Sequence, residues 1–312
     1  MPPSSPITPE ALAAALKQAG VEVAGSINLE WRAWRWVGQA DSDRIVFVAP
    51  SEEAATRLST EADLLALMSK RTKLELPRVI YRDPRTGLQV RRKIRGIQIP
   101  SGQEQLFGAS PQGLTLAKGL GEAIASIHGS ITREEGLAIG LSSVEPRHLS
   151  PDAISALQAA ALNIDQMEII EHLLAIHRNE PPSKSDVVVV HGDIWRGNMA
   201  IDAESGGLNG LFDFDDCGLA DRHFDLRYAH SFGEDFAVCC FAAYSAKSGT
   251  AISIRRTAMY HAMSALEALH EAIVSGDVEN IGRRRAWADQ VCNGPVGRHL
   301  SLGKRRPYKS DS

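Results

Sequence analysis

The stretch VVVVHGDIWRGNMAID, residues 187–202, is the most informative part of this sequence. Its four consecutive valines have strong strand propensity and no polar face, which predicts a buried strand. Gly192 permits a tight turn after that strand, so Asp193 is expected at the end of the strand. Asn198 follows five residues later, just before a second short strand in MAID. An acid and an amide held by a short loop behind a buried strand are therefore the first candidates for a functional site.

A second acidic segment follows in LFDFDD, residues 211–216. The turn-forming run ESGGLNG separates it from MAID, so two hairpin-like strands are expected to bring Asp193, Asn198 and Asp213 to one edge. Carboxylate and amide oxygens suit a magnesium ion held against substrate phosphates. Phosphoryl transfer requires metal ligands, a carboxylate that accepts the hydroxyl proton, and a positive clamp on the phosphates. The pattern therefore predicts Asp193 as the catalytic base and Asn198 with Asp213 as the metal ligands.

Upstream of this stretch, helical and strand patterns alternate. Thr8 and Pro9 are typical of a helix start, and Glu52 with Glu53 lies near the start of a second helix. An Asp-Pro-Arg-Thr-Gly turn at residues 83–87 predicts a hairpin. The predicted elements are a helix at 8–20, strands at 27–37 and 44–50, a helix at 51–70 and the hairpin at 78–94. This order indicates a small sheet with a helix on it.

Beyond this hairpin the pattern becomes mostly helical. Apolar residues recur with the period of a helix at residues 114–128, 151–177, 233–247 and 252–274. We therefore predict an α+β fold of two lobes, with a boundary near Gly96. The small, strand-rich N-terminal lobe covers residues 1–96, and the larger, helical C-terminal lobe covers residues 97–312. Clefts between such lobes are common places for ligands.

Composition argues against several classes of protein. The chain has 312 residues, of which 44% are hydrophobic and 23% are charged, with a net charge of −4. No apolar run approaches the roughly 20 residues of a membrane span, and the N-terminus lacks the basic and apolar regions of a signal peptide. Residues 283–309 contain eight Lys or Arg and one acid, but they lack aromatic interleaving, so a solvated end is favoured over a nucleic-acid site. The four cysteines have no metal-ligand spacing. We expect a cytoplasmic protein with reduced thiols and with no membrane or nucleic-acid partner.

The motifs HGDIWRGN and LFDFDDCGLADRHFDL together resemble the catalytic and metal-binding signature of the aminoglycoside phosphotransferase family, a branch of the protein-kinase-like fold. The spacing from Asp193 to Asn198 equals that of the protein kinase loop H-R-D-x-x-x-x-N. The resemblance runs from about Gly25 to the helices beyond residue 270. VVVVHGD, the second motif and the later helix HAMSALEALHEAIVSGD are similar, to a lesser degree, to macrolide phosphotransferases.

This resemblance implies ATP or GTP as the co-substrate, a magnesium ion, and a small molecule whose hydroxyl group accepts the phosphate. It also implies Glu61, in the helix TEADLLAL, as an acid that pairs with a basic residue on a strand of the small lobe. The segment GSIN at residues 25–28 matches a shortened phosphate loop. Ser26 and Asn28, together with Glu61 and Arg196, are therefore predicted to bind the nucleotide.

Residues beside the motifs are assigned structural roles. The resemblance implies that His191 forms local hydrogen bonds that hold the catalytic loop and that Asp225 buttresses this loop. Asp215 and Asp216, just beyond the predicted metal ligand, could add metal or substrate contacts, but solvation is favoured for both. The tryptophans at positions 31, 34 and 36 are expected to lie in the core of the small sheet.

The sequence departs from the family pattern at one strand. In RIVFVAP, residues 44–50, the family places a Lys or Arg that touches the nucleotide phosphates, and that position aligns with Val48. Either another basic residue substitutes for it, or the nucleotide is held weakly. The four candidates are Arg44, Arg91, Arg92 and Arg196.

Three functional hypotheses follow from these observations. The first is a magnesium- and nucleotide-dependent kinase of an antibiotic such as a macrolide or an aminoglycoside, and the seven acids at 213–235 suit a cationic acceptor. The second is a non-catalytic nucleotide-binding or scaffold protein with a kinase-like fold, motivated by Val48. The third is a housekeeping kinase of choline, homoserine or an amino sugar, since the fold does not choose among acceptors. The protein is expected to be a monomer or a dimer.

Overall fold

The computed structural model of the protein describes residues 7–18, 20–22, 27–83, 85–144, 151–159 and 164–300. Within these ranges the elements follow the predicted order. A helix, strands, a second helix and a hairpin form the N-terminal part, and helices around a strand-and-loop module form the rest. Among the described residues, no helix is both long enough and apolar enough to cross a membrane. The predicted two-lobed α+β architecture is confirmed.

The small lobe is an antiparallel sheet of five strands with a helix on each face. Thr8 caps the first helix, because its Oγ1 accepts a hydrogen bond from the backbone N–H of Ala11 at 3.2 Å. The strands lie in the order β1-β2-β3-β5-β4. The elements are α1 (Pro9–Gln18), β1 (Leu29–Arg32), β2 (Arg35–Gln39), β3 (Arg44–Val48), α2 (Glu52–Met68), β4 (Arg78–Asp83) and β5 (Leu88–Arg92).

The two faces of this sheet pack against different helices. Val48 of β3 lies in an apolar cluster with Leu12 and Leu16 of α1. Phe47, its neighbour, lies in the cluster on the other face with Leu58 of α2. Successive residues of a strand point to opposite faces, so these contacts fix the orientation of β3. Val48 therefore faces α1, and the expectation that it occupies the phosphate-facing position is wrong.

The large lobe contains the helices and two short two-stranded sheets. β6 pairs with β9 and β7 pairs with β8, both antiparallel. The predicted helix at 151–177 is two helices, and residues 160–163 between them lie outside the described residues. The elements are α3 (Glu104–Gly108), α4 (Pro111–Ser130), α5 (Arg133–Ala138), α6 (Pro151–Ala159), α7 (Ile164–Asn179), β6 (Val187–Val190), β7 (Met199–Ile201), β8 (Leu208–Leu211), β9 (Gly218–Asp221), α8 (His223–Leu226), α9 (Glu234–Ser248), α10 (Ile254–Ser275), α11 (Val278–Asn293) and α12 (Pro295–His299).

The core of the large lobe depends on a close contact between α4 and α9. Gly121 of α4 lies against α9, and a Cβ atom at this position would be 2.2 Å from the carbonyl oxygen of Cys240. A residue with a side chain would therefore push the two helices apart. A second core joins α10 to α11 and α12 around residues such as Met263 and Val291. These two cores support the loops that carry the predicted site.

Candidate active site

The second residue of the loop after β6 is a glycine, Gly192, that a residue with a side chain could not replace without strain. Gly192 has a φ angle of +91°, which is unfavourable for residues with a Cβ atom. A Cβ atom at Gly192 would also lie 2.3 Å from the carbonyl oxygen of Asp216. The close approach of these two backbone segments places Asp193 beside the segment 213–216.

Asp225 of α8 holds the start of this loop, as the resemblance implied. Its carboxylate accepts hydrogen bonds from the backbone N–H groups of His191 (2.7 Å) and Gly192 (2.8 Å), and it lies 3.0 Å from Nε2 of His128. Burial alone would raise the pKa of Asp225, but its hydrogen bonds with the ring of His128 and the backbone N–H of His191 lower it below its ordinary value. The anchor is therefore an ionised, fully bonded carboxylate.

His191 also holds the loop through local hydrogen bonds, and this prediction is confirmed. Its Nε2 lies 3.1 Å from the carbonyl oxygen of Phe212, and its Nδ1 accepts a hydrogen bond from the backbone N–H of Asp193 at 3.3 Å. Since a carbonyl oxygen only accepts and a backbone N–H only donates, the ring must carry its proton on Nε2. The ring packs on Phe214, with 4.3 Å between ring centroids. His191 thus links the loop to the chain that follows β8.

Asp193 lies partly exposed at the end of the loop, with 31% of its side chain accessible. Nδ2 of Asn198 donates to its carboxylate (3.0 Å) and to its carbonyl oxygen (2.9 Å), which fixes the side chain. Nη2 of Arg227 lies 3.9 Å from the other carboxylate oxygen. Burial raises the pKa of Asp193 above its ordinary value, and the charge of Arg227 opposes this shift. A carboxylate with a raised pKa is a stronger base than a solvated one.

Asn198 and Asp213 lie beside this carboxylate. The amide nitrogen of Asn198 is bonded to Asp193, which leaves its amide oxygen as the atom that could bind a metal. The backbone N–H of Phe212 donates to the carbonyl oxygen of Asn198 at 3.1 Å, so the two predicted ligands come from adjacent segments. Asp213 has a φ angle of +67°, an uncommon conformation for a non-glycine residue, and such strain is concentrated at functional sites.

The donor set fits a magnesium ion that is shared with phosphates. Asn198 and Asp213 supply hard oxygen atoms, and 41% of the Asp213 side chain is exposed. Among the described residues, no group of three or more His, Cys, Asp or Glu side chains could hold a metal. Magnesium is commonly bound by one or two protein ligands, with waters and substrate phosphates completing its six positions. A two-residue site is therefore consistent with magnesium and inconsistent with a fully protein-bound metal.

Glu61 of α2 pairs with two arginines, which confirms that it bonds a basic residue on a strand. Arg91 of β5 donates to both carboxylate oxygens, and Nη1 of Arg35 in β2 lies 3.1 Å from Oε2. Glu61 is 3% exposed. Burial alone would raise its pKa, but the charges and hydrogen bonds of Arg91 and Arg35 lower the pKa of Glu61 below its ordinary value. Arg91 was one of the four expected substitutes, whereas Arg35 was not.

Arg35 also reaches the predicted metal site, because its Nη2 lies 2.5 Å from Oδ1 of Asp213. Trp34 donates from its indole nitrogen to Asp215 at 2.9 Å. The side chain of Asp215 is 14% exposed, so the expectation that it is solvated is wrong. Burial and the negative charge of Asp213 raise the pKa of Asp215 to about 6. Trp34 thus lies at the cleft rather than inside the sheet core.

The other residues predicted to bind the nucleotide are Ser26, Asn28 and Arg196. Ser26 lies outside the described residues, and Asn28 is exposed just before β1. Arg196 belongs to the large lobe, where its Nε lies 2.6 Å from Glu104 and its Nη1 donates to the carbonyl oxygen of Ile99 at 2.9 Å. Nucleotide binding by these residues stays a prediction.

A cavity of about 950 Å³ opens next to Asp193 and extends to α11 and α12. Of the seven acids at 213–235, only Asp216 and Glu234 line it. The acid-rich segment is therefore not an acidic wall, because the other five acids do not line the cavity. The wall mixes charged and aromatic side chains, among them Tyr228, His261, Arg283 and Trp287.

Comparison with known proteins gives a family match. The family model described as a phosphotransferase enzyme family matches residues 24–271. No curated protein sequence matches the chain closely enough to count as a relative.

Solved structures of similar fold include enzymes with bound nucleotides. A GDP complex of wild-type aminoglycoside 2'-phosphotransferase-IIIa has a TM-score of 0.67 at 16% identity, covering 90% of this chain and 97% of that chain. The streptomycin–ATP ternary complex of APH(2")-IIa has a TM-score of 0.63 at 17% identity, covering 89% and 96%. The apoenzyme of macrolide 2'-phosphotransferase MphH from Brachybacterium faecium has a TM-score of 0.66 at 17% identity, covering 92% and 99%. These similarities establish a shared fold across nearly the whole length of each chain.

Proposed function

The chain belongs to the phosphotransferase enzyme family, and from this we propose that it moves the γ-phosphate of ATP or GTP to a hydroxyl group of a small molecule with the help of magnesium. The observation that carries the proposal is the position of Asp193. Its carboxylate lies beside Asn198 and faces a cavity large enough for a drug-sized acceptor. Similar folds bind GDP or ATP, which supports a nucleotide co-substrate.

Each residue of the site then has a role in phosphoryl transfer. Asp193 orients the acceptor hydroxyl and takes its proton as the oxygen attacks the γ-phosphorus. Asn198 and Asp213 would hold magnesium, which neutralises charge on the phosphates when bound. His191 and Asp225 keep the loop in place, so Asp193 does not have to be reordered when substrates bind.

The acceptor is proposed to be an antibiotic of the macrolide or aminoglycoside type. This part of the proposal rests on the structures of similar fold, which include an enzyme named for each class. A cavity of about 950 Å³ is at the upper end of the range for small-molecule sites. Its mixed charges do not select a polycation, so neutral and cationic acceptors both belong in the test.

The scaffold hypothesis loses its main support. It was motivated by the missing cation at Val48, but Val48 faces α1, and two arginines approach Glu61 from the neighbouring strands. A kinase of a small metabolite shares the same chemistry and differs only in the acceptor.

The proposal is tested by measuring ATP and GTP consumption against a panel of macrolides, aminoglycosides, choline, homoserine and amino sugars. We expect at least one acceptor to raise consumption above the acceptor-free rate in the wild type. Asp193→Asn should lower this rate roughly 10²–10⁴-fold, because the amide cannot accept the proton. Asp235→Asn, which changes an exposed acid in the first turn of α9, is the matched control and should retain the wild-type rate. Acceptor-dependent consumption that survives Asp193→Asn within about twofold, a loss far below that range, would exclude Asp193 as the base.

A further inference from the structure

On the face of the small sheet that packs on α2, the buried arginines come from β2 and β5, the strands on either side of the central strand β3, and not from β3 itself. Val37 of β2 pairs with Phe47 of β3, which pairs with Gln89 of β5, so these three residues share the face that packs on α2. Arg35 and Arg91 lie two residues from Val37 and Gln89 and therefore point to the same face. The central strand contributes only the ring of Phe47 here. That ring lies 4.7 Å from the Arg35 guanidinium and 4.6 Å from that of Arg91.

The two arginines differ in how their donors are used. Arg91 is 2% exposed, bonds both oxygens of Glu61, and places Nε and Nη2 at 3.2 and 2.9 Å from the amide oxygen of Gln89. Its donors are therefore committed within the small lobe. Arg35 makes one bond to Glu61 and uses its other terminal nitrogen to bond Asp213 across the cleft. Arg35 is thus positioned at the edge of the predicted metal site.

Other basic residues near the site have different partners. Arg44 bonds Asp41 at the far end of β3, Arg92 is exposed, and Arg196 bonds Glu104 in the large lobe. Arg57 is a separate case, because it lies at the cleft but donates to the main-chain carbonyl of Asp215 at 2.8 Å, and 45% of its side chain is exposed.

We propose that Arg35 is the residue of the small lobe that contacts the nucleotide phosphates. This inference rests on the proposed function. A guanidinium has five N–H donors in a plane, so Arg35 can keep its bond to Glu61 while a phosphate oxygen replaces Asp213 as the partner of Nη2. The rings of Phe47 and Trp34, at 4.7 and 4.9 Å, hold the guanidinium plane in this direction. Arg91 is a positioning residue, which keeps Glu61 ionised and in place.

The exchange of partners has a clear electrostatic basis. Arg35 forms ion pairs with Asp213 and with the buried Asp215. A nucleotide brings its own negative phosphates together with a magnesium ion. The magnesium ion can then neutralise Asp213, and Arg35 becomes available to the phosphates without leaving a carboxylate unpaired.

The inference is tested by calorimetric titration of ATP, ADP and adenosine into three variants, each with magnesium and again with EDTA. Arg35→Met removes the charge but keeps the length of the side chain. We expect it to weaken ATP and ADP about tenfold or more and to leave adenosine within about twofold, because only the phosphates lose a charge-assisted bond. The weakening should persist in EDTA, since the contact does not pass through the metal. Arg44→Met, a change of another arginine in the same sheet, is the control and should bind all three ligands like the wild type.

Arg35→Lys is a second variant that keeps the test valid if Arg35→Met does not fold, because it retains a positive charge beside Glu61. It should weaken ATP about threefold or more in EDTA without affecting adenosine, because an ammonium cannot bond Glu61 and a phosphate in one fixed plane. Wild-type affinity for ATP in both Arg35 variants overturns the inference. A loss of ATP affinity that occurs only with magnesium would also overturn it, because Arg35 would then act through Asp213. An equal loss of affinity for adenosine would overturn it as well. These titrations need no acceptor, so they can succeed even when the acceptor panel fails.

Discussion

Asn198 and Asp213 would each supply one oxygen to the predicted metal, but they differ in charge and in their protein partners. Asn198 is neutral and 5% exposed, and its amide nitrogen already holds Asp193. Asp213 has a carboxyl side chain that forms an ion pair with Arg35. If both residues bind the metal as proposed, loss of Asn198 would disturb both the metal and the proposed base, whereas loss of Asp213 would remove the main electrostatic attraction for the metal.

We expect Asn198→Ala and Asp213→Ala each to raise the magnesium concentration needed for half-maximal phosphate transfer. The increase should be larger for Asp213→Ala, because this change removes a negative charge as well as a ligand oxygen. Magnesium titrations of transfer activity measure the effect, with Asp202→Asn in the loop before β8 as a control. Curves of both alanine variants that overlay the wild type would place the metal elsewhere.

Val48 provides a second prediction about a single residue. Its side chain is 2% exposed among Leu12, Leu16 and Leu88. Val48→Lys buries an ammonium group in an apolar cluster without a partner, so it should lower the free energy of unfolding by several kcal/mol and leave ATP affinity no tighter than in the wild type. Urea unfolding and calorimetry measure the two quantities, and Val48→Ile is the size-matched control. Tighter ATP binding with unchanged stability would show that the residue faces the cleft after all.

Local sequence patterns were enough to predict Asp193, Asn198 and Glu61 as candidate site residues. The Asp193–Asn198 spacing lies within one loop, and Glu61 lies on a helix with a clear period. Arg35 was missed because its partners are 26 and 178 residues away, and their proximity depends on the register of five strands. The sequence carried no local signal for Arg35, because polar residues at alternate strand positions, as in β5, are also typical of a sheet with one solvated face.

At the scale of elements, a buried acid joins β9 to α10. Asp221 accepts hydrogen bonds from the ring of His223 (2.6 Å), from Arg256 and from the hydroxyl group of Tyr260 (2.8 Å). Burial alone would raise the pKa of Asp221, but the hydrogen bonds and charges of His223 and Arg256 lower the pKa of Asp221 to about 2. β9 pairs with β6, which leads directly into the catalytic loop. The position of that loop therefore depends on this cluster.

Asp221→Asn should reduce stability in a pH-dependent way. The carboxylate has a lower pKa in the folded state, so its contribution is complete above about pH 4 and is lost as the pH falls towards 2. We expect the variant to be about 2–3 kcal/mol less stable than the wild type at pH 7 and nearly equal to it at pH 2. Urea unfolding at several pH values measures this difference. Arg255→Gln, which breaks the exposed pair with Glu180, should change stability by less than about 1 kcal/mol at either pH. A difference that does not vary with pH would contradict the assignment.

Element prediction succeeded where the apolar period was clear, but it missed the largely polar helix α11, VENIGRRRAWADQVCN, and the short strand β9. The amphipathic pattern gave α2, α4, α9 and α10, and the valine run gave β6. The partner of β6 was not predicted, because β9 is the four-residue segment GLAD, whose small residues carry no strand signal. Its strand character comes from pairing with β6 and from the fixed Asp221, both of which are tertiary effects.

At the scale of the whole molecule, the predicted metal segment joins the two lobes. Trp34 and Arg35 of the small lobe bond Asp215 and Asp213, and Arg57 of α2 reaches the same segment. Just beyond Gly96, the backbone N–H of Ile97 donates a hydrogen bond to the carbonyl oxygen of Ile201 in β7 at 2.9 Å. A nucleotide in the cleft would therefore contact both lobes at a point where they already meet.

Binding of ATP with magnesium should stabilise both lobes together. At a ligand concentration of 100 times Kd, the expected gain in unfolding free energy is about 2.7 kcal/mol. Thermal denaturation should show one transition that moves to a higher temperature, and adenosine at the same multiple of its own Kd provides a comparison. A transition that splits, with only one part shifted by ATP, would show that the lobes unfold independently and that the ligand contacts one of them.

The construction of the cavity beside Asp193, which is proposed to take the acceptor, has a consequence for how this protein can evolve. The Asp193 loop is held from α4, α8 and the end of β8, through His128, Asp225 and Phe212. The far wall of the cavity comes instead from α11 and α12, which contribute residues such as Arg284 and Trp287. Selection for a new acceptor can therefore change the wall while the chemistry stays intact. Lineages of this chain would be expected to differ in the range of compounds they modify before they differ in how they modify them.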